Sequence, residues 1–141
     1  MLSLNKIEIV QGSFNLGAHF DVAAGQKVAV IGPSGAGKST LVGAICGFID
    51  LRAGQLILAG CDITNVQPDG RDMAMLFQDN NLFPHLTIAQ NVGLGIRPAM
   101  RLTSDEAAQV HKALQRVGLT NFGSRKPSEL SGGQQSRAAL A

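Results

Sequence analysis

A chain of 141 residues with 45% hydrophobic and 16% charged side chains has the balance of one folded globular domain, which excludes a disordered segment. Twelve Lys and Arg against ten Asp and Glu leave a net charge of +2 with no basic cluster, which argues against a nucleic-acid partner. Cys46 and Cys61 lack the paired close spacing of a zinc site and read as small apolar residues in a reducing compartment. No apolar run approaches the roughly 20 residues that span a bilayer, and Met1–Lys6 lacks the basic-then-apolar order of a secretory leader. The expectation is a soluble, cytoplasmic protein whose membrane role, if any, comes through a partner.

In chain order, Leu2, Leu4, Ile7 and Ile9 mark an extended segment. Phe20 and Val22 alternate with polar neighbours, and Ala23-Ala24-Gly25 reads as a turn. Residues 27–31 (Lys-Val-Ala-Val-Ile) are a short β-branched run of the kind that forms a buried strand. A Gly-rich loop follows, then a helix over 39–48 with Leu41, Ala44 and Ile45 on one side. Residues 55–58 predict another strand ending in a Gly60-Cys61-Asp62 turn, and 73–77 a second buried strand. From Gln78 to His85 the chain is polar and contains Pro84, so a loop is expected, followed by a short helix over 87–92. Thr103-Ser104-Asp105-Glu106 fits a capping box, Ala107, Val110, Leu114 and Val117 continue at helical spacing, and Gly118 stands where a C-cap glycine belongs. Ser131-Gly132-Gly133-Gln134 predicts a second capping box opening a helix.

The chemistry concentrates in Gly32-Pro33-Ser34-Gly35-Ala36-Gly37-Lys38-Ser39-Thr40, which contains the phosphate-loop pattern Gly-x-x-x-x-Gly-Lys-Ser. Glycines let the backbone adopt conformations closed to residues with a Cβ and turn its N–H groups inward around a polyphosphate. Lys38 is expected to set a positive charge against the β- and γ-phosphates, and the Ser39 hydroxyl to ligate Mg²⁺. The helix that follows aims its positive end at the anion. The alternative is a glycine-rich turn that matches by chance. The strand signal before it and the helix signal after it favour ATP. Such a loop alone does not choose among kinases, GTPases, motor ATPases and transporters.

Leu130-Ser131-Gly132-Gly133-Gln134, downstream of that loop, resembles the signature motif of ATP-binding-cassette proteins. Residues 77–84 (Phe-Gln-Asp-Asn-Asn-Leu-Phe-Pro) resemble the family's Q-loop. With three motifs in family order, the resemblance covers the whole chain. It implies an α/β fold: a P-loop core with an N-terminal antiparallel β region over 1–85, partly parallel around the phosphate loop. A mostly helical subdomain is implied over 86–133, with the start of the signature helix over 134–141. It implies that Gln78 contacts Mg²⁺ and the attacking water, and that Ser131, Gly132, Gly133 and Gln134 close over ATP held by a second ATPase subunit in a head-to-tail dimer. Transmembrane permease subunits are the other implied partners, placing the chain at the inner face of a bacterial membrane. Within the family, the runs 75–83 and 85–95 are similar to those of the ATP-binding subunits of bacterial thiamine importers. Importers of polyamines, iron or molybdate carry similar ATPases.

Two departures stand out. Where the family carries an aromatic residue that stacks on adenine, this chain has Gln11-Gly12-Ser13, with Phe14 as the local aromatic; stacking on Phe14 and loss of the base contact are both open. The family's Walker B strand, its Asp-Glu pair and a later His do not occur within residues 1–141. Asp62, Asp72 and Asp79 sit in polar turns, and His19, His85 and His111 are isolated, so no catalytic residue is assigned. The chain therefore reads as the N-terminal part of such an ATPase, with an apolar sheet edge left exposed. The alternative is a truncated nucleotide-binding module that regulates a partner without turnover.

Overall fold

The spacing of the first apolar residues, two apart, then three, then two again, requires an irregular strand. In the computed structural model, which describes residues 1–77 and 82–141, β1 (Leu2–Gln11) keeps Leu4, Ile7 and Ile9 all buried by placing a bulge between Leu4 and Ile7. The extra residue restores the inward direction that strict alternation would have lost. Lys6 carries the strain, with φ of 48°, and its N–H donates to His19 Nδ1 on the neighbouring strand.

That neighbour, β2 (Phe14–Val22), follows a tight turn at Gly12-Ser13 and pairs antiparallel with β1. On the other side of β1 lies β3 (Ala53–Leu58), antiparallel, with Gly54 facing the bulge at φ of 89°. A Cβ on Gly54 would run into the Lys6 carbonyl oxygen and the Ile7 backbone, so the close approach requires glycine. A two-residue turn, Ala59 (φ 51°) and Gly60 (φ 86°), leads into β4 (Cys61–Asp62). Both positive angles match the hairpin turn whose twist suits the strands. Cys61 and Asp62, expected within a turn, pair with Leu58 and Ile57 instead. The sheet order is β2-β1-β3-β4.

Asp62 accepts from Gln55 Nε2 at 2.6 Å and from the Thr64 N–H at 2.9 Å. Those hydrogen bonds, Gln55's first, pull its carboxyl down to about 2.

Helix α1 (Lys38–Ile45) covers the sheet with Leu41 and Ala44, which join Leu4, Ile7, Ile9, Leu56 and Ile63 in one buried cluster. Beneath its C-terminal end lies Arg71, 7% exposed. The guanidinium donates to the carbonyls of Ala44 (3.1 Å), Ile45 (2.6 Å), Val66 (2.8 Å) and Thr64 (3.3 Å). A buried cation is thus satisfied by carbonyls, two of them at the negative end of a helix. Burial lowers the Arg71 pKa and raises that of the neighbouring Cys46 thiol, which Arg71 partly offsets.

Two expected buried strands are not observed. Neither 27–31 nor 73–77 belongs to the sheet among the described residues, and Val28, Val30, Leu76 and especially Ile31, at 92%, are exposed. An apolar β-branched run becomes a buried strand only where a neighbour supplies hydrogen bonds and cover, and the described residues do not. For the same reason the expected partly parallel pairing around the phosphate loop is absent from them; every ladder is antiparallel.

The chain forms two compact units, Met1–Met75 and Leu76–Ala141. The second is built by local signals. Helix α2 (Ile88–Leu94) starts at a capping box of Thr87 and Gln90, and α3 (Ser104–Arg116) at the expected box of Thr103 and Glu106. Gly118 (φ 71°) ends α3: its N–H donates to the Gln115 carbonyl, and the Leu119 N–H reaches back to that of Leu114. Ile88, Val110, Leu114, Leu119, Leu130 and Ala138 form this unit's core. Ala107, expected on the core face, is exposed.

Removing the Arg71 side chain strands buried carbonyls, so Arg71→Met should cost about 3 kcal/mol in urea unfolding, while Arg101→Met at an exposed position should change it by less than about 0.5 kcal/mol. Because the folded pKa of Asp62 lies below its unfolded value, its stabilisation is present above about pH 4 and disappears as pH falls through about 2. A ¹³C NMR titration should place the Asp62 midpoint near 2, and the stability difference between wild type and Asp62→Asn should shrink from pH 6 to pH 2.

Candidate functional site

The phosphate loop is shaped by two left-handed glycines, Gly35 (φ 79°) and Gly37 (φ 86°), the second being the N-cap of α1. Between them Ala36 donates its N–H to the Pro33 carbonyl at 3.3 Å, closing a tight turn. Gly37 then accepts from the Leu41 N–H at 2.8 Å, so the loop passes directly into the helix. Lys38 folds back over the loop, with its Nζ 2.9 Å from the Gly32 carbonyl oxygen and 2.7 Å from that of Pro33. Gly32, Pro33, Ser34, Gly35, Ala36 and Ser39 are exposed, and Gly37, Lys38 and Thr40 are half-buried. A glycine-rich turn at a helix N-terminus, with a lysine ammonium folded back over it, has the features that bind a polyphosphate. The Ser39 hydroxyl lies in the first turn of α1, a place suited to a hard cation held by phosphate oxygens.

The loop is also packed from below. A Cβ on Gly37 would fall 2.5 Å from Leu16 Cδ1 and 2.6 Å from Phe14 Cζ, both on β2. The sequence singled out Phe14 as an aromatic near the site but carried no signal that it touches the loop.

In the second unit, α4 (Gly132–Leu140) opens at the expected capping box. The Ser131 N–H donates to Gln134 Oε1 at 2.8 Å, and the Gln134 N–H to Ser131 Oγ at 3.4 Å. The N–H groups of Gly132 and Gly133 lie ahead of the first intrahelical donor, Gln135, whose N–H donates to the Ser131 carbonyl at 2.9 Å. A Cβ at either position would meet open space, so packing does not explain these glycines. Gln135 fastens the turn before the helix, donating to the carbonyls of Pro127 (3.0 Å) and Leu130 (3.2 Å).

Gln78 lies outside the described residues, as do Asp79, Asn80 and Asn81. Just beyond them, Asn91 proves to be a tie that the sequence did not reveal. It accepts from the Phe83 N–H at 2.7 Å and donates to the carbonyls of Thr87 (2.9 Å) and Phe83 (3.2 Å). Its only sequence signal was a polar residue on a short helix. Among the described residues no group of three His, Cys, Asp or Glu is placed to hold a metal ion, and no helix is long and apolar enough to cross a membrane.

Substituting the Ser131 cap by Ala should cost about 1 kcal/mol, read as roughly fivefold faster amide exchange at Gln134 and Gln135.

Comparison with known proteins converges on one family. The model of the ABC transporter family matches residues 16–141. The thiamine import ATP-binding protein ThiQ of Ruegeria sp. (strain TM1040) is 57% identical over 141 residues, all of this chain and 61% of that protein. ThiQ of Escherichia coli (strain K12) is 44% identical over the same shares. The chain thus spans about 61% of the length of these relatives. Among solved structures, the ATP-binding cassette MJ0796, in a dimeric post-hydrolysis state bound to ADP and Pi, superposes with a TM-score of 0.83 at 26% identity, over 99% of this chain and 67% of that one. With its phosphate loop and capped Ser-Gly-Gly-Gln helix in family order, the chain belongs to the ABC transporter family.

Proposed function

We propose that residues 1–141 are the nucleotide-binding part of an importer ATPase that couples ATP binding and hydrolysis to uptake of a small solute, thiamine. The observation that carries nucleotide binding is the Lys38 ammonium, held 2.9 and 2.7 Å from the Gly32 and Pro33 carbonyls over a loop with two left-handed glycines. A lysine so placed exchanges weak carbonyl partners for phosphate oxygens with little motion. The backbone N–H groups from Gly35 to Thr40 cradle the phosphates, and Lys38 neutralises the β- and γ-groups. Ser39, with Gln78, holds Mg²⁺, which when bound offsets phosphate charge. Ser131, Gly132, Gly133 and Gln134 present helix N–H groups to the γ-phosphate on a second copy, in a head-to-tail dimer. The solved cassette of similar fold is dimeric, which supports pairing with a second copy. None of residues 1–141 is proposed as the general base for hydrolysis.

The choice of thiamine is supported by the relatives' names at 57 and 44% identity, not by chemistry in this chain, because an ATPase that works through permease subunits does not touch the solute. Docked on the permease, it would lie at the inner face of the membrane.

Lys38→Ala should weaken ATP binding by about 100-fold or more in calorimetry, the loss of a charge-assisted contact of about 3 kcal/mol. Unchanged affinity would sink the phosphate-loop reading. Disruption of the gene should abolish uptake of labelled thiamine, and retained uptake would remove thiamine as the solute.

A further inference from the structure

The inward face of β2 carries an apolar stripe that runs past the core of the first unit. Leu16, Ala18 and Phe20 pack against that core, and Phe14 lies one step beyond them, half-buried. What it meets there is the phosphate loop. The space that a side chain on Gly37 would need is filled by Leu16 Cδ1 and by the Cζ and Cε1 edge of the Phe14 ring, 2.5, 2.6 and 3.2 Å from the ideal Cβ position. Gly37 holds φ of 86° at this contact, and the next residue is Lys38. The direction in which the lysine leaves the loop therefore depends on how Gly37 is seated.

We propose that Phe14, supported by Leu16, is a positioning residue for the phosphate loop: it seats Gly37 in its left-handed conformation and so aims Lys38 at the phosphates. This rests on the loop being a polyphosphate site. It gives this aromatic side chain a role beneath the phosphates instead of against the base. Three features support it. The ring edge is in van der Waals reach of the loop backbone, so its removal opens a gap under Gly37 that the exposed residues 32–36 cannot fill. Glycine at 37 leaves the backbone free to move unless a neighbour restrains it. And α1, eight residues long, is too short to fix its own first turn.

The test uses the whole chain with Phe14→Ala and Phe14→Leu, and reads two quantities. One is amide exchange without nucleotide, at Leu41, whose N–H bonds to the Gly37 carbonyl, and at Ser3 and Ile57, register partners in the β1–β3 ladder, as a reference. The other is affinity for inorganic triphosphate and for ATP. The expected result for Phe14→Ala is exchange about tenfold faster at Leu41 with the ladder unchanged, and triphosphate and ATP weakened by the same factor of about ten. Phe14→Leu, which refills the space without a ring, should restore both to within about threefold. Loss of ATP affinity with triphosphate unchanged, in both variants, would mean base stacking and overturn the proposal. So would unaltered exchange at Leu41, or a rise shared equally by the ladder, which marks general destabilisation. If the wild type binds neither triphosphate nor ATP, the phosphate-site reading fails by itself, and the positioning of Lys38 at phosphates falls with it.

Discussion

The phosphate loop is only as well placed as the helix it feeds, and that helix cannot hold itself. Eight residues lie below the length at which an isolated helix persists in water, so α1 depends on what grips it. Leu41 and Ala44 anchor its middle in the core. Arg71 takes the last carbonyls, supplying the donors and the positive charge that the C-terminal end lacks. At the other end, Gly37 rests on Phe14 and Leu16. Residues from β2 and from the segment after β4, remote in sequence, thus set where Lys38 and Ser39 stand.

The sheet is arranged to allow this. A bulge at Lys6 keeps Leu4, Ile7 and Ile9 facing one way, and Gly54 permits β3 to approach the distorted backbone. With β1 central, the sheet offers α1 a continuous apolar face, while the stripe on β2 reaches the loop. The apolar segment 27–31 leads into the loop without a sheet partner among the described residues, so α1 and its contacts carry the positioning.

The second unit uses a different economy. Its helices begin at reciprocal caps, Thr87 with Gln90, Thr103 with Glu106 and Ser131 with Gln134. Glu106 also pairs with Arg97 at 2.7 Å, an interaction that together with the Thr103 N–H lowers its pKa. Local satisfaction of helix ends leaves the core to a few aliphatic side chains and keeps the N-terminus of α4 open at Gly132 and Gly133.

What the sequence by itself determined was local. The glycine spacing of the phosphate loop, the capping boxes at Thr103 and Ser131 and the Gly118 stop were legible because each depends on groups within a few residues of one another. The family was legible for a related reason, since its motifs are contiguous and stand in order. Only the tertiary structure decided that 27–31 and 73–77 lie outside the sheet, because pairing depends on neighbours that an apolar run does not specify. It alone revealed the Arg71 clasp, the Asn91 tie and the Phe14 contact under Gly37. Each joins a polar or aromatic residue to backbone whose position in space follows from how the elements pack, and pattern along the chain carries no record of that distance.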